Sequence, residues 1–376
     1  MPSAPRAPGS PPPAAAEKEA SAVPASAESR TGGSSASRPR LASLQVGRGV
    51  AALLVLLYHA HGHLELNGVH PPLGSWLRFG HVGVDYFFVL SGFVMLHAHR
   101  TDLGRPGATR GYAVKRAVRL LPMYWLALGV CLALRAVSSG TPFPTIREIA
   151  LDLVLIPNGA ETPIVGVAWS LHLEVFFYAL FGLVLWRPSL GRLLMAAWFG
   201  VSLLRGLGLV DLEAGPAVHR WLSGYPLQFG MGLLVAWLAP VGGAARGPLA
   251  LGTLALVGGI VAELTGNLDG IGFPAQLLYG GGSALLLLGL LRREAAAPIH
   301  ASGPLRLLGD ASYSIYLFHL AGIGIADKLL QVIGIDDYLH PDARFAFVVA
   351  GGLALGTALG TWIEPRLTRA VRARLR

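Results

Sequence analysis

The chain has 376 residues, 53% of them hydrophobic and only 14% charged, whereas a soluble domain carries about 25% charged residues. That deficit excludes an ordinary water-soluble globule. The net charge of +9 is loop bias rather than one basic stripe interleaved with aromatics, which argues against nucleic acid as a partner.

Residues 1–43, rich in Ala, Ser and Pro, read as a disordered cytoplasmic tail. They lack the apolar core of a cleavable signal. Apolar runs then follow at 44–63, 80–98, 117–137, 167–186, 191–210, 222–240, 248–265, 273–291, 309–330 and 343–363. Each has roughly the 17–25 residues that span a bilayer as a helix. The expected fold is all-α: a polytopic membrane protein of about ten transmembrane helices. Its parts are the tail, a transmembrane domain at 44–365 and a basic cytoplasmic tail at 366–376. The single Cys131, within the third run, permits no intrachain disulfide and leaves the redox compartment open.

The basic residues orient these spans. With the N-terminal tail inside, only Arg78, Arg135, Arg147, Arg205, Arg220, Lys328 and Arg344 of the 30 Lys and Arg fall outside or at its edge. Six lie between the second and third spans (Arg100, Arg105, Arg110, Lys115, Arg116 and Arg119), and Arg366, Arg369, Arg372, Arg374 and Arg376 end the chain. This asymmetry follows the positive-inside rule with both termini cytoplasmic; the expected location is the inner (plasma) membrane, as a multi-pass protein.

Ionisable side chains at membrane depth are costly and mark functional candidates. The first span holds Arg48 and His59, eleven residues apart. Eleven helical residues turn through about 1100° and rise ~16 Å, so both side chains look out of one face at opposite depths. Counting ~1.5 Å per residue, His59, Asp85 of the second span and Glu174 of the fourth share the outer half of the membrane. Arg48, Arg116 and Arg119 lie toward the cytoplasm, the last two on one face where the third span begins. The expected layout is an acid and histidine centre above an arginine centre.

Each residue also has a plainer reading. Arg116 and Arg119 near a helix end can simply snorkel to the headgroups. Asp85 can pair structurally with Arg48 or Arg78, Glu174 can hydrogen-bond a neighbouring helix, and His172 can be a satisfied interfacial residue. The aromatics Tyr124, Trp125, Trp169 and Trp362 fit packing or an interface belt. No HExxH, CxxC, Walker or GxGxxG-after-strand pattern occurs, so no metal site or nucleotide fold is expected.

Five blocks together resemble the acyltransferase-3 family of integral membrane O-acyltransferases. They are LQVGRGVAALLVLLYH (44–59), GVDYFFVLSGFVM (83–95), KRAVRLLPMYWL (115–126), AWSLHLEVFFYALFG (168–182) and LGDASYSIYLFHL (308–320). They stand in the family's order, and the first and last look most like the branch that O-acylates bacterial exopolysaccharides. The resemblance implies that Arg48 and His59 form the family's Arg-x10-His pair. It implies that Arg116 and Arg119 form its Arg-x-x-Arg motif, linked to acyl-CoA binding, and that Glu174 is the acid of its Trp-Ser-Leu-x-x-Glu block. Gly47 stands where Leu is usual, His172 replaces a small residue and Val175 replaces a second acid. Some members carry an appended extracytoplasmic hydrolase-like domain; none is expected here.

Acyl transfer from a thioester to a hydroxyl needs a base and positive charge for the donor's phosphates. His59 suits the first role, with Asp85 or Glu174 to orient its imidazole. Arg48, Arg116 and Arg119 suit the second through forked donors. The expected partners are acyl-CoA, acetyl-CoA by resemblance, as donor and a carbohydrate acceptor; the oligomeric state stays open. A multi-span transporter of a polar or lipid-linked substrate is the alternative. It should show paired broken helices or internal repeats, and neither stands out in the sequence.

Overall fold

A computed structural model describes residues 41–137, 142–157, 162–212, 215–239 and 243–375. Among them every regular element is helical. In chain order they are α1 (Ala42–Leu66), α2 (Pro72–Trp76), α3 (Val82–His99), α4 (Pro106–Val137), α5 (Ile146–Leu153), α6 (Ala168–Trp186) and α7 (Pro188–Gly206). They continue as α8 (Pro216–Trp221), α9 (Tyr225–Leu238), α10 (Arg246–Leu264), α11 (Phe273–Ala296), α12 (Gly303–Ile333), α13 (Pro341–Ala358) and α14 (Glu364–Arg374).

A helix stands at each of the ten expected spans. Among the described residues, eight are long and apolar enough to cross a membrane, which makes this a multi-pass membrane protein. The other two are α7 and α9. With 14 residues, α9 rises ~21 Å, short of the ~30 Å hydrocarbon core.

Of the expected N-terminal tail, residues 1–40 lie outside the described residues, and so does Arg376 of the expected C-terminal tail. The helix itself starts inside the former, at Ala42. The reason is a cap: the Glu294 carboxylate of α11 accepts from the backbone N–H of Ala42 at 2.6 Å and of Ser43 at 3.1 Å, and from the Ser43 hydroxyl. A carboxylate there satisfies orphan amides and favours the helix dipole. The basic C-terminal stretch is helical as well, because α14 continues α13 through a π-helical turn at Leu359–Ile363. In the same way α4 reaches back to Pro106, so Arg110 and Lys115 ride on a helix rather than a loop.

Two contacts set the frame of the site. Helices α1 and α12 approach until Gly49 and Gly309 nearly touch; a Cβ on Gly49 would lie 2.9 Å from the Gly309 nitrogen. Only small residues allow helices that close. Beside it, Gly47 leaves the space that the Tyr86 ring and hydroxyl of α3 fill, so a Cβ there would collide with them. That is the structural basis for glycine at this position.

Candidate acyl-transfer site

Five helices enclose a cavity of about 180 Å³. Its wall includes Arg48 from α1, Ser91 from α3, Arg116 and Arg119 from α4, Ser170, Glu174 and Tyr178 from α6, and Tyr313 and Tyr316 from α12. The three arginines expected to act together therefore do meet. Arg116 and Arg119 face inward on one side of α4 because they are three residues apart. Their guanidinium carbons lie 5.9 Å from the Tyr178 ring centre and 5.8 Å from that of Tyr313, respectively. Each aromatic face holds its cation without satisfying the N–H donors. Arg116 Nε is buried with no hydrogen-bond partner.

Pro122 sits inside α4. A proline has no N–H to give the carbonyl four residues back, here Val118. Nearby, the Tyr313 hydroxyl donates to the Leu120 carbonyl at 2.8 Å, tying α12 to α4 immediately beside Arg119.

Glu174 belongs to the arginine centre, not to the histidine centre. It accepts hydrogen bonds from Ser91 Oγ at 3.0 Å and from the Tyr178 hydroxyl. The approach to α6 is enclosed as well: Ile164, Val165, Val167 and Ala168 are all buried.

Asp85 is also elsewhere. It is buried, 2% exposed, and accepts from Gln228 Nε2 of α9, whose amide donates in turn to the Gln276 carbonyl of α11. It does not pair with Arg48 or Arg78 and does not meet His59. His172 is buried with Nε2 unpartnered.

His59 does not line the cavity. It is half-buried, and its Nδ1 lies 2.9 Å from the Val55 carbonyl oxygen and 3.1 Å from His319 Nε2 of α12. Neither expected acid orients it; a second imidazole stands in that place. The path from cavity to His59 runs through Tyr316, whose ring centre is 6.1 Å from that of His319. The Tyr316 hydroxyl is 2.6 Å from Ser170 Oγ on the opposite wall.

Sequence reasoning missed His319 and Glu364. His319 is the penultimate residue of the fifth block and is an ionisable residue inside an apolar run, the same signal that singled out His59. Glu364 follows the π turn at the chain's basic end and reaches back to Arg119 and Ser314. Only tertiary structure shows that contact.

The profile described as Acyltransferase domain matches residues 41–363. The exopolysaccharide production protein ExoZ of Rhizobium meliloti (strain 1021) is 31% identical over 85% of this chain and 96% of its own length. The membrane-bound transacylase BcsY of Komagataeibacter xylinus, named with the qualifier putative, is 28% identical over 75% of this chain and 73% of its own. Peptidoglycan O-acetyltransferase OatA of Listeria monocytogenes is 23% identical over 79% of this chain and 51% of its own. No solved structure matches. With nearly the whole helical core covered, the chain belongs to the acyltransferase-3 family and is a membrane O-acyltransferase.

Proposed function

We propose that this protein moves an acetyl group from cytosolic acetyl-CoA to a hydroxyl of a cell-surface or exported carbohydrate, at the inner membrane with both termini cytoplasmic. The observation that carries the reading is the meeting of Arg48, Arg116 and Arg119 on one cavity, with His59 on the same helix ~16 Å further along. Similarity to an exopolysaccharide production protein and to a peptidoglycan O-acetyltransferase supports the acceptor class.

The donor set fits coenzyme A. Three guanidinium groups supply forked, charge-assisted donors for phosphates, and the unpartnered Arg116 Nε leaves one donor free for an anion. Tyr178 and Tyr313 keep the arginines extended into the cavity. The apolar remainder, Phe87, Leu90, Val94 and Met95 among it, suits a pantetheine arm and keeps water from the thioester.

In the reaction His59 takes the proton of the acceptor hydroxyl as its oxygen attacks the thioester carbonyl. The C–O bond forms, the C–S bond breaks, and the proton passes from His59 to the departing thiolate. Attack by His59 itself, giving a transient acyl-imidazole, uses the same residues. Ser170 and Tyr316 offer hydroxyls between cavity and histidine, where the carbonyl oxygen gathers charge.

The test compares surface glycans from cells with and without the protein by mass spectrometry, alongside acetyl-CoA turnover by the purified protein. Loss of O-acetyl groups from one glycan without the protein is the expected result. Unchanged glycans together with no thioester turnover would contradict the reading.

A further inference from the structure

The two imidazoles fix each other's protons. His319 is fully buried, and its Nδ1 lies 3.0 Å from the Ile315 carbonyl oxygen of the preceding turn. A carbonyl only accepts, so Nδ1 of His319 carries the hydrogen. Among the described residues no carboxylate is hydrogen-bonded to it, and an isolated charge in that enclosure is expensive. The ring is therefore neutral, with a bare Nε2. That lone pair faces His59 Nδ1 at 3.1 Å. His59 Nδ1 thus meets two acceptors, His319 Nε2 and the Val55 carbonyl at 2.9 Å, and must be the donor to both.

We infer that His319 is a positioning residue that, together with the Val55 carbonyl, holds His59 as its Nδ1–H tautomer, leaving Nε2 of His59 as the only nitrogen able to take a proton or attack an acyl group. This rests on the base role given to His59 above. His319 then does for His59 what a carboxylate does in a Ser-His-Asp triad, with a neutral partner. When His59 becomes an imidazolium, its Nδ1–H still has the His319 lone pair to donate to, so the charged form keeps its hydrogen bond. A carboxylate is not required at this spot, which agrees with Glu174 and Asp85 each being engaged elsewhere.

Local structure supports the pair. The imidazole centres are 4.9 Å apart, on helices whose backbones are locked together at Gly49 and Gly309. Tyr58 packs edge-on against His59 at 5.0 Å and limits rotation of the ring from the other side.

The experiment is nitrogen NMR on full-length protein in lipid bilayers, labelled with 15N-histidine, because protonated and bare ring nitrogens resonate far apart. The His59 signals are identified by their disappearance in His59→Gln. The expected spectrum shows a protonated Nδ1 and a bare Nε2 on His59. In His319→Leu only the Val55 carbonyl is left to accept from Nδ1–H, so the pattern should loosen to a mixture with the Nε2–H form. In His319→Gln, whose side-chain oxygen can accept from Nδ1–H, it should persist, and this variant keeps the test open should the leucine variant fail to fold. Acetyl-CoA turnover is read on the same samples. His319→Leu should lower kcat on the order of 10²-fold or more, toward the ~10⁴ seen when a triad loses its orienting acid, with KM nearly unchanged and partial rescue by glutamine. A proton on Nε2 of His59 in the parent, or an unaltered His59 pattern in His319→Leu, would overturn the inference. The expected NMR pattern in a parent that turns over no acetyl-CoA would instead count against the proposed reaction and leave the pairing standing.

Discussion

Arg119 Nη1 lies 3.3 Å from Glu364 Oε1, joining α4 to the first residue after the π turn of the C-terminal helix. Glu364 also accepts from Ser314 Oγ of α12 at 2.8 Å. One phosphate-binding candidate thus already faces a carboxylate that a bound anion must share it with. Irregular helical turns of this type recur at functional sites, and this one delivers Glu364 to the cavity's edge.

Glu364→Gln removes a negative charge there; its one amide oxygen can still accept from Arg119, while its NH2 can donate to the Ser314 hydroxyl. Arg119 is 44% exposed, so screening holds the electrostatic effect to about 1 kcal/mol. Coenzyme A should bind the variant a few-fold more tightly by calorimetry, the gain shrinking with added salt. Weaker binding would mean that Glu364 instead holds Arg119 in its binding pose.

Replacing Arg116 or Arg119 by alanine should raise the acetyl-CoA concentration needed for half-maximal turnover without unfolding the protein. Lysine should rescue only in part, since it lacks the fork. Coenzyme A binding at parental strength in both alanine variants would reduce these arginines to snorkelling side chains.

Asp85→Asn should act on stability rather than chemistry. The asparagine Oδ1 can still accept from Gln228, but its NH2 replaces a carboxylate oxygen in the buried site, and a buried donor left unsatisfied costs about 1–3 kcal/mol. A lowered Tm with kcat within about threefold of the parent is the expected pair of results. A kcat loss at unchanged Tm would return Asp85 to the catalytic centre.

Much of this was legible in the sequence. The apolar runs named the helices, because the bilayer demands length and hydrophobicity from each span separately. The Arg-x-x-Arg spacing gave a shared face because helical geometry is local. The partners of His59 were hidden for the converse reason. Depth counting does not show which neighbour a side chain meets: Glu174 is held by Ser91 and Tyr178 on the arginine-lined cavity. It also records height alone, whereas Asp85 and His59, expected at one level, point to different neighbours around the bundle. His319 stands 260 residues from His59, and only the close approach of α1 and α12 brings them together.

Gly47→Leu tests that packing from another side. The new side chain would meet the Tyr86 hydroxyl, and overfilling a packed site costs about 1–3 kcal/mol. Tyr86→Phe, which deletes a buried hydroxyl with no partner, should be neutral or stabilising alone and should lessen the Gly47→Leu defect. A Gly47→Leu protein as stable as the parent would show that Tyr86 moves aside freely.

The most direct measurement of the central claim is acyl transfer by His59→Gln, assayed with purified protein in bilayers beside its coenzyme A binding. Glutamine keeps a polar group but takes up no proton. A positioned general base contributes 10²–10⁴-fold, about 3–5 kcal/mol of barrier. Transfer should therefore fall by at least about a hundredfold while coenzyme A binding, which the proposal assigns to Arg48, Arg116 and Arg119, stays close to parental. Transfer at near-parental rate would contradict the base role of His59.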